Sequence, residues 1–265
     1  MSWRSLLFVP GSRPDRFEKA LAAGADAVCI DLEDAVAPDV KAAARATVVD
    51  FLKSGANVGV RINAVESVWG CADIAALAGA DLRFVMLPKV ANAETVQAAY
   101  QALGRPELIP VIESGEGLMN AWAIAAAPGV GAVLFGGADY SADIGAELAW
   151  EPMLYARGAL AAACGRARKP LLDVPYLDVD DDEGLIDSTH RVRAMGFTGR
   201  ACIHPKQIAG VHAAFAPSEA EVARARRVLE AFDAAKGGAA LLDGKLVELP
   251  VVLHARRIVA AAGGN

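Results

Sequence analysis

No stretch of this chain approaches the ~18 consecutive apolar residues that a membrane-spanning helix needs. The opening MSWRSLLFVPG carries only a four-residue apolar run before Pro10 and Gly11, too short for a secretory core. These gaps point to a soluble, cytoplasmic protein. An excess of basic charge is also missing: 26 Lys and Arg stand against 32 Asp and Glu, a formal net charge of −6. A nucleic-acid-binding face needs clustered cations, so that class is excluded and any anionic ligand must meet a local basic patch. Four cysteines (Cys29, Cys71, Cys164, Cys202) are far apart with no C-x-x-C pair, which argues for buried reduced thiols over a metal knuckle or bridges. No G-x-G-x-x-G follows the first apolar run, which removes the main signature of a dinucleotide-binding open sheet.

What is present is a series of short apolar runs, each stopping at a polar residue. Ala27 to Ile30 ends in Asp31, Val58 to Ile62 contains Arg61 and precedes Asn63, and Phe84 to Leu87 precedes Lys89. Leu108 to Ile112 ends at Glu113, Val130 to Phe135 leads to Asp139, Leu171 and Leu172 to Asp173, and Ala201 to Ile203 to His204. Between them recurs an Ala-rich amphipathic stretch closed by Gly, as in ALAAGADAVCID and ALAGADLRFVMLP. Strands alternating with helices indicate parallel βαβ units, and eight units close a barrel of about 250 residues. With 265 residues and 54% hydrophobic content, one α/β barrel with a small appendage is the economical count.

Strands are predicted to begin near Leu6, Ala27, Val58, Phe84, Leu108, Gly131, Leu171 and Thr198. Helices are expected over Arg13 to Ala23, Val40 to Lys53, Val68 to Ala78, Ala93 to Leu103, Leu118 to Ala127, Met153 to Ala167 and Gly184 to Met195. Two more follow over Pro205 to Phe215 and Ser218 to Ala235. Residues 1–235 thus form the barrel with its C-terminal helices. Residues 236–265 form a lid: a hairpin over Ala240 to Leu249 turning at Asp243 and Gly244, then a helix from Val251 to Ala262. Such a tail is too small to fold alone and must pack on the barrel or on a neighbouring subunit.

In VGVRIN, strand alternation puts Gly59, Arg61 and Asn63 on one face, aiming Arg61 into the barrel mouth. There its guanidinium suits a substrate carboxylate or a developing enolate oxygen; the alternative is an internal ion pair with Asp31, Glu33 or Asp34. Glu113 and Asp139 end strands that a barrel sets side by side, and two hard oxygen ligands with open positions suit Mg²⁺ or Mn²⁺. For Asp139 alone the ordinary reading is a helix N-cap. Lys89 is a Schiff-base candidate, disfavoured because surrounding carboxylates stabilise its ammonium form. His204 is read as a structural residue rather than an acid–base, Arg13, Arg16 and Lys19 as a phosphate contact or a solvated helix face, and Asp180 to Glu183 as an acidic loop.

The motifs RSLLFVPGSRPDRFEKA, ADAVCIDLEDAV, VRIN, VMLPKV, IPVIESGEG, FGGADYSADIG and FTGRACIHPKQI occur in that order over almost the whole chain. In this the chain resembles the citrate lyase β-subunit-like (HpcH/HpaI aldolase/citrate lyase) family of CoA-ester lyases. The resemblance implies a (β/α)₈ TIM barrel of the phosphoenolpyruvate/pyruvate type, Mg²⁺ dependence and a homotrimer or hexamer. It places the metal ligands on Glu113 and Asp139, the substrate arginine on Arg61, and the oxo-acid carboxylate on the backbone N–H groups of Ala138 and Asp139. Phe8, Arg13 and Lys19 correspond to residues that touch CoA, and Glu33 and Asp34 line the mouth. The implied reaction is a reversible retro-Claisen cleavage of a 3-hydroxyacyl-CoA, of the (S)-citramalyl-CoA or malyl-CoA type, into acetyl-CoA and a 2-oxo acid.

In related lyases a carboxylic acid in the neighbouring subunit's lid protonates the departing enolate. The usual lid motif is Gly-x-Met-Val/Ile-Asp-x-Pro, and this chain has GKLVELP, so Glu248 takes the place of the Asp and Leu246 that of the Met. Other functions compatible with the same residues are a citrate lyase β-subunit acting on a carrier-bound citryl thioester, an acyl-CoA thioesterase and a metal-dependent aldolase of free 4-hydroxy-2-oxo acids. A non-catalytic barrel is disfavoured, because a structural barrel has little use for unpaired carboxylates in its mouth.

Overall fold

The computed structural model describes residues 3–236 and 238–263. Eight parallel strands close a barrel in sequence order: β1 (Ser5–Pro10), β2 (Ala27–Asp31), β3 (Gly59–Arg61), β4 (Phe84–Leu87), β5 (Leu108–Ile112), β6 (Val133–Phe135), β7 (Leu171–Asp173) and β8 (Gly199–Cys202). Each begins within two residues of its expected start. The helices are α1 (Phe17–Leu21), α2 (Lys41–Leu52), α3 (Val68–Leu77), α4 (Ala93–Ala102), α5 (Gly115–Met119), α6 (Ala121–Ala126), α7 (Gly137–Asp143), α8 (Trp150–Ala167), α9 (Asp182–Ala194) and α10 (Gln207–Phe215).

Several elements differ from expectation for local reasons. Arg13 to Ala23 is not one helix but a 3₁₀ turn over Pro14–Arg16 followed by α1. The helix expected over Leu118 to Ala127 starts earlier and breaks at Asn120, whose side-chain amide donates to the Ala91 carbonyl. α7 was not anticipated, since GGADYSAD is short and rich in poor helix formers. The acidic run at 180–183 opens α9: Asp181 accepts from the Gly184 N–H, and Asp182 and Glu183 occupy the first turn. Of the four free cysteines, Cys71 is exposed, while the other three are buried as expected.

Alternate strand residues fill the interior, among them Leu6, Ala27, Cys29, Phe84, Met86, Ile109, Val111, Leu134 and Ala201, with Phe8 partly buried beside them. Trp3 packs on Phe84 with ring centroids 5.0 Å apart, filling the end of the barrel where the strands start. Phe84 reaches the space that a side chain on β3 would need: a Cβ at Gly59 would lie 2.1 Å from its ring carbons. Gly59→Ala is therefore expected to overpack the core and lower stability by about 1–3 kcal/mol, measurable as a lower urea midpoint with an unchanged slope. With that end filled, the strand C-termini are left to form the site, as is general for this architecture.

The chain divides into two compact units after His212, within α10, and not at 235/236. The reason is α11 (Glu219–Ala234): its Ala225 and Val228 share a small core with Val247, Val252 and Ala255. This second unit also holds the antiparallel hairpin β9 (Ala240–Leu242) and β10 (Lys245–Val247) and helix α12 (Leu249–Gly263). Ser218 and Glu221 form a reciprocal capping box at the start of α11.

Candidate active site

Register brings the site together. Asp31 ends β2 opposite Arg61 at the end of β3, and the guanidinium grips the carboxylate with two bonds, Nε to Oδ1 at 2.7 Å and Nη2 to Oδ2 at 2.6 Å. Asp31 is 1% exposed and also accepts from the N–H groups of Glu33 (2.9 Å) and Ala35 (3.0 Å). The β2–α2 loop is thus wound around one carboxylate. Arg61 spends its fork on this internal pair, the alternative considered from sequence, and Asp31 is the anchor of the site. Phe8 lies 5.0 Å from the guanidinium carbon, offering its ring face to the cation.

The remaining nitrogen of Arg61, Nη1, lies 2.9 Å from Glu33 Oε2 and 3.8 Å from Asp34 Oδ2. Lys89 Nζ approaches Glu33 Oε1 at 3.2 Å. Glu33 is 5% exposed, and neither oxygen has a well-aligned hydrogen bond, so charge holds it in place. Burial raises its pKa to about 7; Asp34 adds to the rise, and Arg61 and Lys89 oppose it. Lys41, buried at the start of α2, donates to the carbonyls of Leu32 (2.9 Å) and Glu33 (2.6 Å). It fixes the backbone that carries Glu33.

Glu113 follows β5 and is 5% exposed. Its Oε1 accepts from the backbone N–H of Lys89, a residue held at φ +54°, where a non-glycine side chain is uncommon. Burial, then the nearby charges of Glu33 and Asp139, push the Glu113 pKa up to about 8. Gly136 leaves room for it, since a Cβ there would lie 2.5 Å from Glu113. Asp139 sits exposed in the first turn of α7 and is not its N-cap, which is Gly136. Ala138 and Asp139 stand where helical N–H groups have no partner within the helix.

Most of these residues line one cavity of about 380 Å³. Its wall includes Phe8, Asp34, Arg61, Glu113, Ala138 and Asp139 on the polar side, and Leu134, Val174, Leu177 and Ile203 on the apolar side. Glu33 and Lys89 do not line it; Glu33 reaches it through its contact with Arg61. For Lys89, burial works downward, but Glu33, Asp34 and Asp139 outweigh it and raise the pKa, which opposes a Schiff-base role. Arg13 and Lys19 are exposed and do not line the cavity; Arg13 pairs with Asp15 at 2.8 Å. His204 is exposed and its Nδ1 accepts from the Lys206 N–H. Glu248 is exposed in the second unit, immediately before α12. Sequence reasoning named Asp31 as a strand-end residue and as one possible partner of Arg61, and missed Lys41. The signal for Asp31 was its place at the end of the strand beside VRIN.

The donor set fits a magnesium ion. Among the described residues no group of three or more His, Cys, Asp and Glu side chains converges to hold a metal, and Mg²⁺ characteristically takes one or two protein carboxylates and keeps several waters. No described lysine or arginine pairs with Glu113, whose raised pKa is that of a buried carboxyl short of positive charge.

Residues 4–205 match the HpcH/HpaI aldolase/citrate lyase family. A (3S)-malyl-CoA thioesterase of Cereibacter sphaeroides is 35% identical over 272 residues, covering 98% of this chain and 94% of that protein. An L-malyl-CoA/beta-methylmalyl-CoA lyase of the same organism is 36% identical over 300 residues, with the same shares covered. Among solved structures, CitE from Mycobacterium tuberculosis in complex with magnesium, acetoacetate and coenzyme A superposes with a TM-score of 0.88 at 35% identity, covering 99% of this chain and 98% of that one. With a closed eight-stranded parallel barrel and strand-end carboxylates in place, the chain belongs to the HpcH/HpaI aldolase/citrate lyase family.

Proposed function

We propose that this protein is a Mg²⁺-dependent CoA-ester lyase that cleaves a 3-hydroxyacyl-CoA of the (S)-citramalyl-CoA or malyl-CoA type into acetyl-CoA and a 2-oxo acid. The observation that carries this reading is the convergence of Glu113 and Asp139 on the cavity that Arg61 and Phe8 also line. Glu113 and Asp139 would hold magnesium, which when bound would supply Lewis acidity to the acyl chain. The N–H groups of Ala138 and Asp139 orient the oxo-acid carboxylate.

As the C–C bond breaks, the hydroxyl gives its proton to water in the open cavity and becomes the ketone, and the thioester half leaves as an enolate that later takes up a proton at carbon. Arg61, fixed by Asp31, sets positive charge beside that enolate oxygen without reorganising. Glu33 stands outside the cavity wall and acts through Arg61 and Lys89, whose positions it fixes. Asp34 stands at the exposed edge of the same cluster. Phe8, Arg13 and Lys19 receive the CoA part, the last two from an exposed segment open to a phosphate.

In a cytoplasmic homotrimer or hexamer, Glu248 of a neighbouring subunit protonates the enolate carbon. Glu248→Gln is expected to lower kcat by about 10²-fold or more and to leave the substrate Kd nearly unchanged; a variant as active as the parent removes Glu248 from the mechanism. Hydrolysis of the thioester is the second reading, favoured by the similarity to (3S)-malyl-CoA thioesterases. A panel of (S)-citramalyl-CoA, (S)-malyl-CoA and citryl-CoA distinguishes the two. Oxo acid released with acetyl-CoA supports the lyase and names its acyl group. Hydroxy acid released with free CoA supports the thioesterase, and silence on all three points to a carrier-bound or free-acid substrate.

A further inference from the structure

Next to the acyl cavity lies a second one of about 430 Å³, bordered by the start of α8, residues 174–178 after β7, and α9. Arg157 and Arg200 stand in its wall, 5% and 1% exposed, and share one buried carboxylate, Asp173. Arg157 Nε reaches Asp173 Oδ1 at 3.0 Å, and Arg200 Nη2 reaches Oδ2 at 2.6 Å. Two buried guanidinium groups against one carboxylate leave an excess positive charge. Nη1 of Arg157 and Nε of Arg200 have no acceptor, although a native fold satisfies nearly all such buried groups. The ring faces of Trp150 and Phe135, 4.8 and 5.7 Å from the Arg157 guanidinium, offset part of its charge but accept no conventional hydrogen bond.

A third arginine completes the wall. Arg191 lies with its guanidinium carbon 3.8 Å from the centre of the Trp150 ring, so two cations lie against the same indole. Its acidic neighbour, Asp187, is 3.9 Å away and 73% exposed, a weak and screened partner. Asp178 at the rim is likewise exposed. Solvated rim carboxylates do not neutralise the buried excess. The rest of the wall is largely apolar, with Leu148, Val174, Pro175 and Leu177.

We propose that this cavity binds a small organic carboxylate, its acid group drawn to the arginine wall and its aliphatic part to the apolar residues. Val174, Pro175 and Leu177 also line the acyl cavity, so an occupant bears on a segment that shapes the substrate's surroundings. The binding itself is independent of the lyase reading.

The test is a titration of metal-free Glu113→Ala protein with succinate, and separately with inorganic phosphate, followed by heat and by tryptophan emission. Disabling the acyl site in this way keeps failure of the lyase reading distinct from failure of this one. Saturable succinate binding, weakened about tenfold or more by adding Arg191→Ala, supports the site; Arg191 is 44% exposed, so its replacement is not expected to disturb folding. No saturable binding, binding unaffected by Arg191→Ala, or binding of phosphate in preference to succinate overturns it.

Discussion

Glu113→Gln is expected to abolish magnesium binding, to lower cleavage by about 10³-fold or more and, in EDTA, to be more stable than the parent at pH 8. The two effects share one cause. Burial and the charges of Glu33 and Asp139 hold the Glu113 carboxyl at about 8 in the folded chain, against about 4.3 for an unfolded glutamate. Between those values the folded state binds the extra proton, so metal-free stability falls as pH rises from about 4.3 to about 8. Glutamine cannot ionise and removes that slope.

Glu33, at about 7, adds a smaller loss of the same sign, ending near pH 7, that Glu113→Gln leaves in place. With Glu113 as a ligand, magnesium needs its ionised form, so the affinity is expected to rise with pH by up to about tenfold per unit for one displaced proton, levelling near pH 8. Calorimetry in two buffers of different ionisation enthalpy reads that proton directly. A magnesium affinity flat from pH 6 to 8 contradicts the assignment of Glu113.

Arg61→Ala is expected to cost about 3–5 kcal/mol of stability, because it leaves Asp31 buried without its counter-charge. The neighbours make the loss broad: Asp31 also holds the N–H groups of Glu33 and Ala35, and Glu33 loses its contact with Nη1. Arg61→Lys restores a point charge but not the two-pronged grip. It is expected to recover much of the stability while activity stays down by about 10²-fold. Urea melts and kcat measured on both variants separate the two roles. Should Arg61→Lys regain full activity, the geometry of the fork would not matter to the reaction.

The barrel was legible because its strands are short apolar runs whose interior positions alternate, and each ends in a residue too polar for the core. The strand-end carboxylates and Arg61 were legible for the same reason. What Arg61 does was not. Its pairing with Asp31 depends on the relative register of β2 and β3, and sequence alone does not fix register between strands joined by a helix. Lys41 was hidden because its partners are backbone carbonyls, which carry no sequence signal. α7 was missed because two glycines open it: Gly136 packs closely on Glu113, and Gly137 on Phe135 and Val174. The domain boundary was misplaced because α11 looks like any barrel helix; its partners, α12 and the hairpin, become visible only once packed.

The most direct test of the central claim is the ratio of 2-oxo acid to free CoA released from (S)-citramalyl-CoA or (S)-malyl-CoA, with magnesium and then with EDTA. The proposed reaction yields one oxo acid per acetyl-CoA, no free CoA, and nothing in EDTA. Free CoA appearing without oxo acid, or cleavage that persists in EDTA and in Glu113→Gln, contradicts a magnesium-dependent lyase at this site.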